Sequence, residues 1–376
     1  MSYNGSRLSW RNSKHGSVNV CEREQEVRAE PSLDKPTRVS VIIPCYNEER
    51  YIGKVLANLA DQYKIEDCEI IVVDGLSFDN TRAVVSKFIA ENQNLHVRVM
   101  DNPARNIPAA LNIGIAHAKG DIIVRMDAHA VPSADYVRRC VEVLTDSNID
   151  VVGMACRVRP GSDSVIGRAI ALAVSHPFGI GDAKYRVPDS SSQYVDTVAF
   201  GAFRKTLWEE LGGYNENLLT NEDYDFHYRV RRRDGRIFLD TSCYCDYFAR
   251  PTIRSLIAQY FRYGQWKAQM IKLHPRSIRW RHVVPPLFVA SLILSLGLSY
   301  WEPLTLLAFV IIVISYGLLS FYFAVKSSLR GGDSRLILPL IAAFLAVHLT
   351  WGSSFLLGIF HSPRQISRND SKPSKT

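Results

Sequence analysis

Three stretches near the C-terminus, 283–300, 304–325 and 336–360, contain no Asp, Glu, Lys or Arg. Each has the length, roughly 17 to 25 residues, with which a helix crosses a bilayer. One such run could be a buried core helix; three in close succession argue against that and for a membrane anchor. Trp301-Glu302-Pro303 reads as a hairpin turn with Trp301 at the interface. Lys326, Arg330 and Arg335 mark the next loop as cytoplasmic, which puts the preceding polypeptide on the same side. Three full crossings would leave Arg364, Arg368, Lys372 and Lys375 outside, against that rule, so the third stretch reads as a crossing, as a re-entrant segment or as no span at all. His348 within it is either a functional polar group or a neutral imidazole bonded to a neighbouring helix.

Upstream the chain reads like a soluble protein. Its formal charge of +8 is concentrated just before the apolar third, between Arg229 and Arg281, which favours an anionic membrane surface over nucleic acid. Residues 251–274 set Ile253, Leu256, Ile257, Tyr260, Phe261, Trp266, Met270 and Ile271 among cations, the composition of a helix lying in the interface. The seven cysteines form neither an even disulfide framework nor paired zinc spacings, which fits a reducing cytosol. The expected organisation is a flexible polar tail over 1–36, a catalytic head over 37–249, an amphipathic interface region over 250–282, about three hydrophobic helices over 283–361 and a polar tail over 362–376.

Within the head, short β-branched runs alternate with helical patterns. The spacing predicts strands at 39–43, 69–73, 97–100 and 121–126, and helices at 49–60, 81–90 and 107–118. Such alternation implies an α/β fold with a parallel sheet covered on both faces, and ligands beyond the carboxyl ends of its strands. The polar residues cluster there: Tyr46, Asn47 and Glu48, then Asp74, then Asp127 and His129. A nicotinamide-binding domain shares the alternation but needs a glycine-rich turn after its first strand; Pro44-Cys45-Tyr46-Asn47-Glu48-Glu49 has no glycine.

Each candidate has two readings. Asp74-Gly75 with Thr81 is either an ordinary turn and cap or a ligand-binding loop. Asp127 and His129, two residues apart, are competent ligands for a divalent ion bridging a diphosphate. Glu222-Asp223 either complements a helix N-terminus over 223–233 or supplies a general base at a cleft.

Taken in order, these pieces resemble the inverting glycosyltransferase family 2, with the likeness running over about 39–267. Pro44-Cys45-Tyr46-Asn47-Glu48 is similar to its Pro-x-Tyr-Asn-Glu opening, and 72–81 to its uridine-binding segment. Asn112 and Gly114, then Lys119-Gly120-Asp121, are similar to the helix and turn before its metal strand. Asp127-Ala128-His129 stands at its Asp-x-Asp, with His129 in place of the last aspartate. Glu222-Asp223 stands at its acidic pair. Gln259-Tyr260-Phe261-Arg262-Tyr263 stands at its Gln-x-x-Arg-Trp, with Tyr263 in place of tryptophan. The Arg125–Ala130 stretch and the anchor resemble the branch of succinoglycan-type exopolysaccharide glucosyltransferases.

The resemblance implies a nucleotide-sugar-binding GT-A mixed sheet followed by transmembrane helices, and Mg²⁺ or Mn²⁺ at Asp127 and His129. It implies donor contacts at Pro44, Tyr46, Glu48, Asp74, Asp127 and Arg262, acceptor contacts at Gln259 and Tyr263, and catalysis by Asp223 with Glu222. The implied donor is UDP-glucose and the implied acceptor a lipid-linked saccharide at the cytosolic face of the inner membrane, with membrane lipids and other glycan-synthesis proteins as further partners. The alternatives are a processive polysaccharide synthase, a polyprenyl-phosphate sugar transferase, or a catalytically silent scaffold of a glycan-synthesis complex.

Overall fold

The computed structural model describes residues 38–62, 68–145, 148–187 and 191–361. Both polar tails, with Cys21, Arg364, Arg368, Lys372 and Lys375, lie outside them. The N-terminal half builds the expected alternation: β1 (Val39–Cys45), α1 (Ile52–Ala60), β2 (Cys68–Asp74), α2 (Thr81–Glu91), β3 (His96–Asp101), α3 (Ile107–Ala116) and β4 (Ile122–Arg125). Strands β3, β2, β1 and β4 pair in parallel in that order. Alternate residues of a strand point to opposite faces, so a strand buried on both sides reads as a continuous apolar run. Accordingly Val41, Ile43, Ile70 and Val72 pack with α1 and α2, while Ile42, Ile71 and Val73 pack with Ala110, Leu111 and Ile115 of α3.

The second half makes the sheet mixed. It comprises β5 (Ala130–Pro132), α4 (Tyr136–Thr145), β6 (Val151–Arg159), α5 (Val165–Ala173), α6 (Pro177–Ile180), β7 (Gln193–Tyr194), β8 (Ala202–Arg204), α7 (Lys205–Leu211), α8 (Glu222–Arg232) and β9 (Ile237–Phe248). The sheet order is β3-β2-β1-β4-β8-β6-β9-β5, with β7 also on β9. Strand β8 is antiparallel to both neighbours, so the strand order turns beside β4, where Asp127 leaves the sheet.

Helix α9 (Ile253–Leu273) begins at a Thr252–Ser255 capping box. It is followed by α10 (Trp280–Leu298), α11 (Leu304–Arg330) and α12 (Ile337–Phe360). The spans read from these, Trp280–Leu298, Leu304–Arg330 and Ser334–Phe360, are long and apolar enough to cross a membrane. At 1.5 Å per residue the 24 residues of α12 extend about 36 Å, more than the roughly 30 Å of a hydrocarbon core. The three differ in cover: 17%, 6% and 44% of their apolar windows are buried. Phe288 of α10 stacks on Tyr316 of α11 at 4.6 Å, whereas α12 lies against α9.

The α9–α12 contact modifies the expected interface helix. Gly264 lies against Trp351, where an added Cβ would stand 2.5 Å from the Trp351 carbonyl oxygen, and Ala268 lies against Gly358. The two helices therefore run side by side in the same direction, with small residues allowing close approach. Leu256 and Tyr260 pack with Ala343, Phe344 and Val347 of α12, while Trp266 and Met270 pack with Tyr224 and Tyr228 of α8. Only part of the apolar surface, including Ile257 and Phe261, stays exposed. Protein covers much of the face expected to lie on lipid. His348 is bonded on both sides, Nδ1 to the Tyr316 hydroxyl at 2.9 Å and Nε2 to the Phe178 carbonyl oxygen at 2.8 Å.

Candidate active site

A cavity of about 1320 Å³ opens beyond the carboxyl ends of β1, β2 and β4 and continues to α10 and α12. Pro44, Tyr46, Glu48, Gly75, Asp127, His129, Glu222, Asp223, Gln259, Arg262 and Tyr263 all line it. The sequence motifs, scattered over more than 200 residues of chain, thus converge on one space. Its far wall comes from His282 and Pro285 of α10 and from Val347, His348 and Trp351 of α12.

The first two loops are locked together. Asn47 Oδ1 accepts the Phe78 N–H at 3.0 Å, and the Asn47 N–H is donated to Ser77 Oγ at 2.8 Å. Asn47 and Leu76 hold φ of 57° and 59°, and Arg105, Phe200 and Asn221, which line the cavity, hold 54°, 50° and 69°. Non-glycine residues in this region carry a conformational cost and gather at functional sites. Asp74 stands apart from the other candidates. It is 1% exposed and does not line the cavity; its carboxylate accepts the Ser77 N–H at 3.0 Å, the Ser77 hydroxyl at 2.5 Å and the Arg82 Nε–H at 2.5 Å.

Beyond β4, the Glu48 carboxylate and His129 Nδ1 are 3.0 Å apart. Burial pulls the imidazole down, but the hydrogen bond to Glu48 and the charge of Asp127 outweigh it and raise its pKa. Among the described residues no three of His, Cys, Asp and Glu converge as a metal cage. Asp127 nevertheless suits a metal that arrives with a diphosphate, since Mg²⁺ is commonly held by one or two carboxylates plus substrate phosphates; His129 joins such a site only as a neutral imidazole, through Nε2.

Arg125, absent from the sequence-based candidates, ties this group to the acidic pair. Its Nη2 lies 3.0 Å from Glu222 Oε1 and 3.4 Å from Asp127 Oδ1. Its Nε and Nη1 have no protein acceptor among the described residues, and the side chain lines the cavity. Burial works against its charge, yet Asp127 and Glu222 hold it firmly protonated. Glu222 is 5% exposed, and burial raises its carboxyl even against Arg125. Asp223, at the start of α8, is the more open of the two and accepts the Tyr224 N–H at 2.7 Å. The pair therefore divides into a buried, ion-paired Glu222 and a cavity-facing Asp223.

On α9 the Gln259 side-chain amide is donated to the hydroxyls of Tyr247 at 3.1 Å and Tyr263 at 3.0 Å. Burial pushes the Tyr263 phenol up to about 12. Lys267 shares this face, one turn beyond Tyr263, and that spacing could have revealed it from sequence. Tyr247 and Arg186 reach the cavity from β9 and from the turn at Lys184–Arg186, which carry no motif.

The family profile described as Glycosyl transferase family 2 matches residues 40–211. Glycosyltransferase AglE of Haloferax volcanii is 34% identical over 247 residues, 64% of this chain and 76% of that protein. Succinoglycan biosynthesis protein ExoA of Rhizobium meliloti is 28% identical over 258 residues, 68% of this chain and 77% of that protein. The solved mannosyltransferase PcManGT from Pyrobaculum calidifontis, in complex with GDP-Man and Mn²⁺, shares the fold at a TM-score of 0.55 and 20% identity, covering 86% of this chain and 88% of that one. Motif order, sheet topology and these likenesses agree that the chain belongs to glycosyltransferase family 2 and is a glycosyltransferase with a GT-A fold, followed by three helices long and apolar enough to cross a membrane.

Proposed function

We propose that this enzyme moves a sugar, glucose from UDP-glucose, onto a lipid-linked saccharide at the cytosolic face of the inner membrane, in exopolysaccharide or cell-surface glycan synthesis. The observation that carries the reading is the single cavity joining the carboxyl ends of the strands to α10 and α12, because a donor site and a lipid-borne acceptor then share one space. The succinoglycan role in the name of one relative supports the glycan class. The Mn²⁺ of the similar solved mannosyltransferase supports a divalent ion.

In this reading Pro44, Tyr46, Glu48 and Gly75 surround the nucleoside, and Asp74 fixes the turn that presents Gly75. Asp127 and His129 would hold Mg²⁺ or Mn²⁺ against the donor diphosphate; when bound, the ion supplies charge stabilisation to the departing nucleotide. Arg262, and the free Nε and Nη1 of Arg125, add fixed positive charge on the same side. Asp223 takes the proton from an acceptor hydroxyl while that oxygen attacks the anomeric carbon opposite the leaving nucleotide. The new glycosidic bond forms as the bond to the phosphate oxygen breaks, so an α-linked donor gives a β-linked product. Gln259 and Tyr263 position the acceptor.

The test is a donor screen on membranes containing the enzyme, with mass analysis of lipid extracts. A mass increase of one hexose on a lipid-linked saccharide, with UDP-glucose preferred, is the expected result. Long polymer made from donor alone would replace this reading by a processive synthase, and no turnover of any nucleotide sugar would support the scaffold.

A further inference from the structure

Tyr224, next in sequence to Asp223, is surrounded by cations. Lys267 Nζ sits 3.4 Å from the centre of its ring and the Arg231 guanidinium 6.0 Å from it. Its hydroxyl lies 3.3 Å from Asp196 Oδ2, which Arg281 Nη2 approaches to 2.5 Å and Arg279 Nε to 3.7 Å. Arg281 also pairs with Asp182 at 2.8 Å. With Lys267 protonated, Lys267, Arg231, Arg279 and Arg281 stand against Asp182, Asp196 and Asp223, four positive charges to three negative.

Lys267 is the unusual member. It is 5% exposed and lines the cavity, yet among the described residues its ammonium meets no carboxylate or carbonyl, only the Tyr224 ring. Burial, with Arg281 next in effect, pushes the amine down to about 7. A buried ammonium with no carboxylate in hydrogen-bond reach carries a desolvation cost that the Tyr224 ring and the charges of Asp223 and Asp196 offset only in part. Arg231 Nε and Nη2 are likewise without acceptors. The neighbouring cavity wall changes character, because His282, 5.5 Å from Tyr224 ring to ring, is followed by Pro285 and Trp351. Cations beside the base, and then an apolar and aromatic wall on the anchor helices, match a ligand with an anionic group joined to a hydrocarbon chain.

We propose that Lys267, with Arg281 beside it on the cavity wall, forms an anion subsite on the acceptor side of Asp223 that takes the phosphate or diphosphate linking the acceptor saccharide to an isoprenoid lipid. This rests on the transfer reading above and specifies the acceptor. It is separate from the donor diphosphate, which that reading assigns to Asp127. The ammonium holds the linking phosphate, and the saccharide beyond it is left to reach Asp223.

The test uses the full chain in detergent with EDTA, which removes metal-dependent diphosphate binding at Asp127. Farnesyl diphosphate, inorganic pyrophosphate and farnesol are titrated in turn. Wild type is expected to bind farnesyl diphosphate more tightly than either other probe. Lys267→Met should weaken that binding on the order of tenfold or more, the scale of one hydrogen bond to a charged group, without changing farnesol binding. Lys267→Arg should retain it, and Lys267→Met should melt no lower than wild type, because an unpaired buried cation has been removed. Unchanged binding in Lys267→Met, or equal loss for farnesol and farnesyl diphosphate, overturns the subsite. Pyrophosphate bound as tightly as farnesyl diphosphate overturns the lipid assignment. Donor hydrolysis by the same preparation with Mn²⁺ is read separately: its absence beside Lys267-dependent binding would sink the transfer reading, whereas its presence without that binding would sink only the subsite.

Discussion

Replacing Arg125 by Met tests whether the acidic pair depends on a buried counter-ion. The Arg125 side chain is 8% exposed and Glu222 6%, at 3.0 Å, so deleting the guanidinium leaves a nearly buried carboxylate without its counter-ion. Breaking a buried pair from one side costs about 3–5 kcal/mol. For a folded unit of roughly 150–250 residues each kcal/mol moves Tm by about 2–4 °C, so Arg125→Met should melt about 6–20 °C lower. Glu222→Gln should cost less, because Arg125 retains Asp127 at 3.4 Å. Arg125→Met/Glu222→Gln should recover most of the loss, since removing both charges of a buried pair is commonly close to neutral. Asp127, 23% exposed, can then turn to water. Intrinsic-fluorescence melting of the four proteins in one detergent reads the cycle. A double variant that melts as low as Arg125→Met, or an Arg125→Met that melts with wild type, would refute the account.

Three further outcomes are expected. Asp223→Asn should lower transfer by about 10² to 10⁴, the usual contribution of a general base, with donor KM little changed; full turnover in a radiolabelled-donor assay would remove Asp223 from that role. His227, 2% exposed and bonded through Nδ1 to Thr197 Oγ1 at 2.8 Å, is pulled down by burial to about 4 from 6.5. The unfolded chain therefore binds its proton first as pH falls, and stability drops by about 3 kcal/mol between pH 6.5 and 4; chemical denaturation of His227→Gln should show a shallower slope, and an identical slope would assign the effect elsewhere. Gly264→Leu should push α9 away from the Trp351 carbonyl, costing about 1–3 kcal/mol from overpacking and lowering transfer to a lipid acceptor more than donor hydrolysis; an unchanged melting temperature would show that the helices have slack.

The parallel half of the sheet was legible because burial on both faces forces long apolar runs, and its loops carry the polar residues that line the cavity. The second half was not. Strands β5 and β8 have three residues each, too few to display a period, and nothing in Ala202-Phe203-Arg204 announces that β8 runs against its neighbours. The acidic pair was visible as two carboxylates, but its division into a buried Glu222 and an open Asp223 depends on Arg125, almost 100 residues earlier in the chain. The interface helix was legible as amphipathic, yet composition does not name the partner of an apolar face. Glycines and alanines on α9 and α12 gave little hydrophobic signal although they bring the two backbones together.

That packing has a practical consequence for anyone preparing a soluble fragment. A chain cut before Trp280 would keep every family motif but lose the helix that covers Leu256, Tyr260, Gly264 and Ala268. It would also lose Arg281, His282 and Trp351 from the cavity wall. The remaining head would present a sticky helical ridge and an active-site chamber with one side removed. Crystallisation or screening campaigns are therefore better served by trimming only the tip of the α10–α11 hairpin, where Tyr300, Trp301 and Leu304 are exposed, while retaining the start of α10 and all of α12.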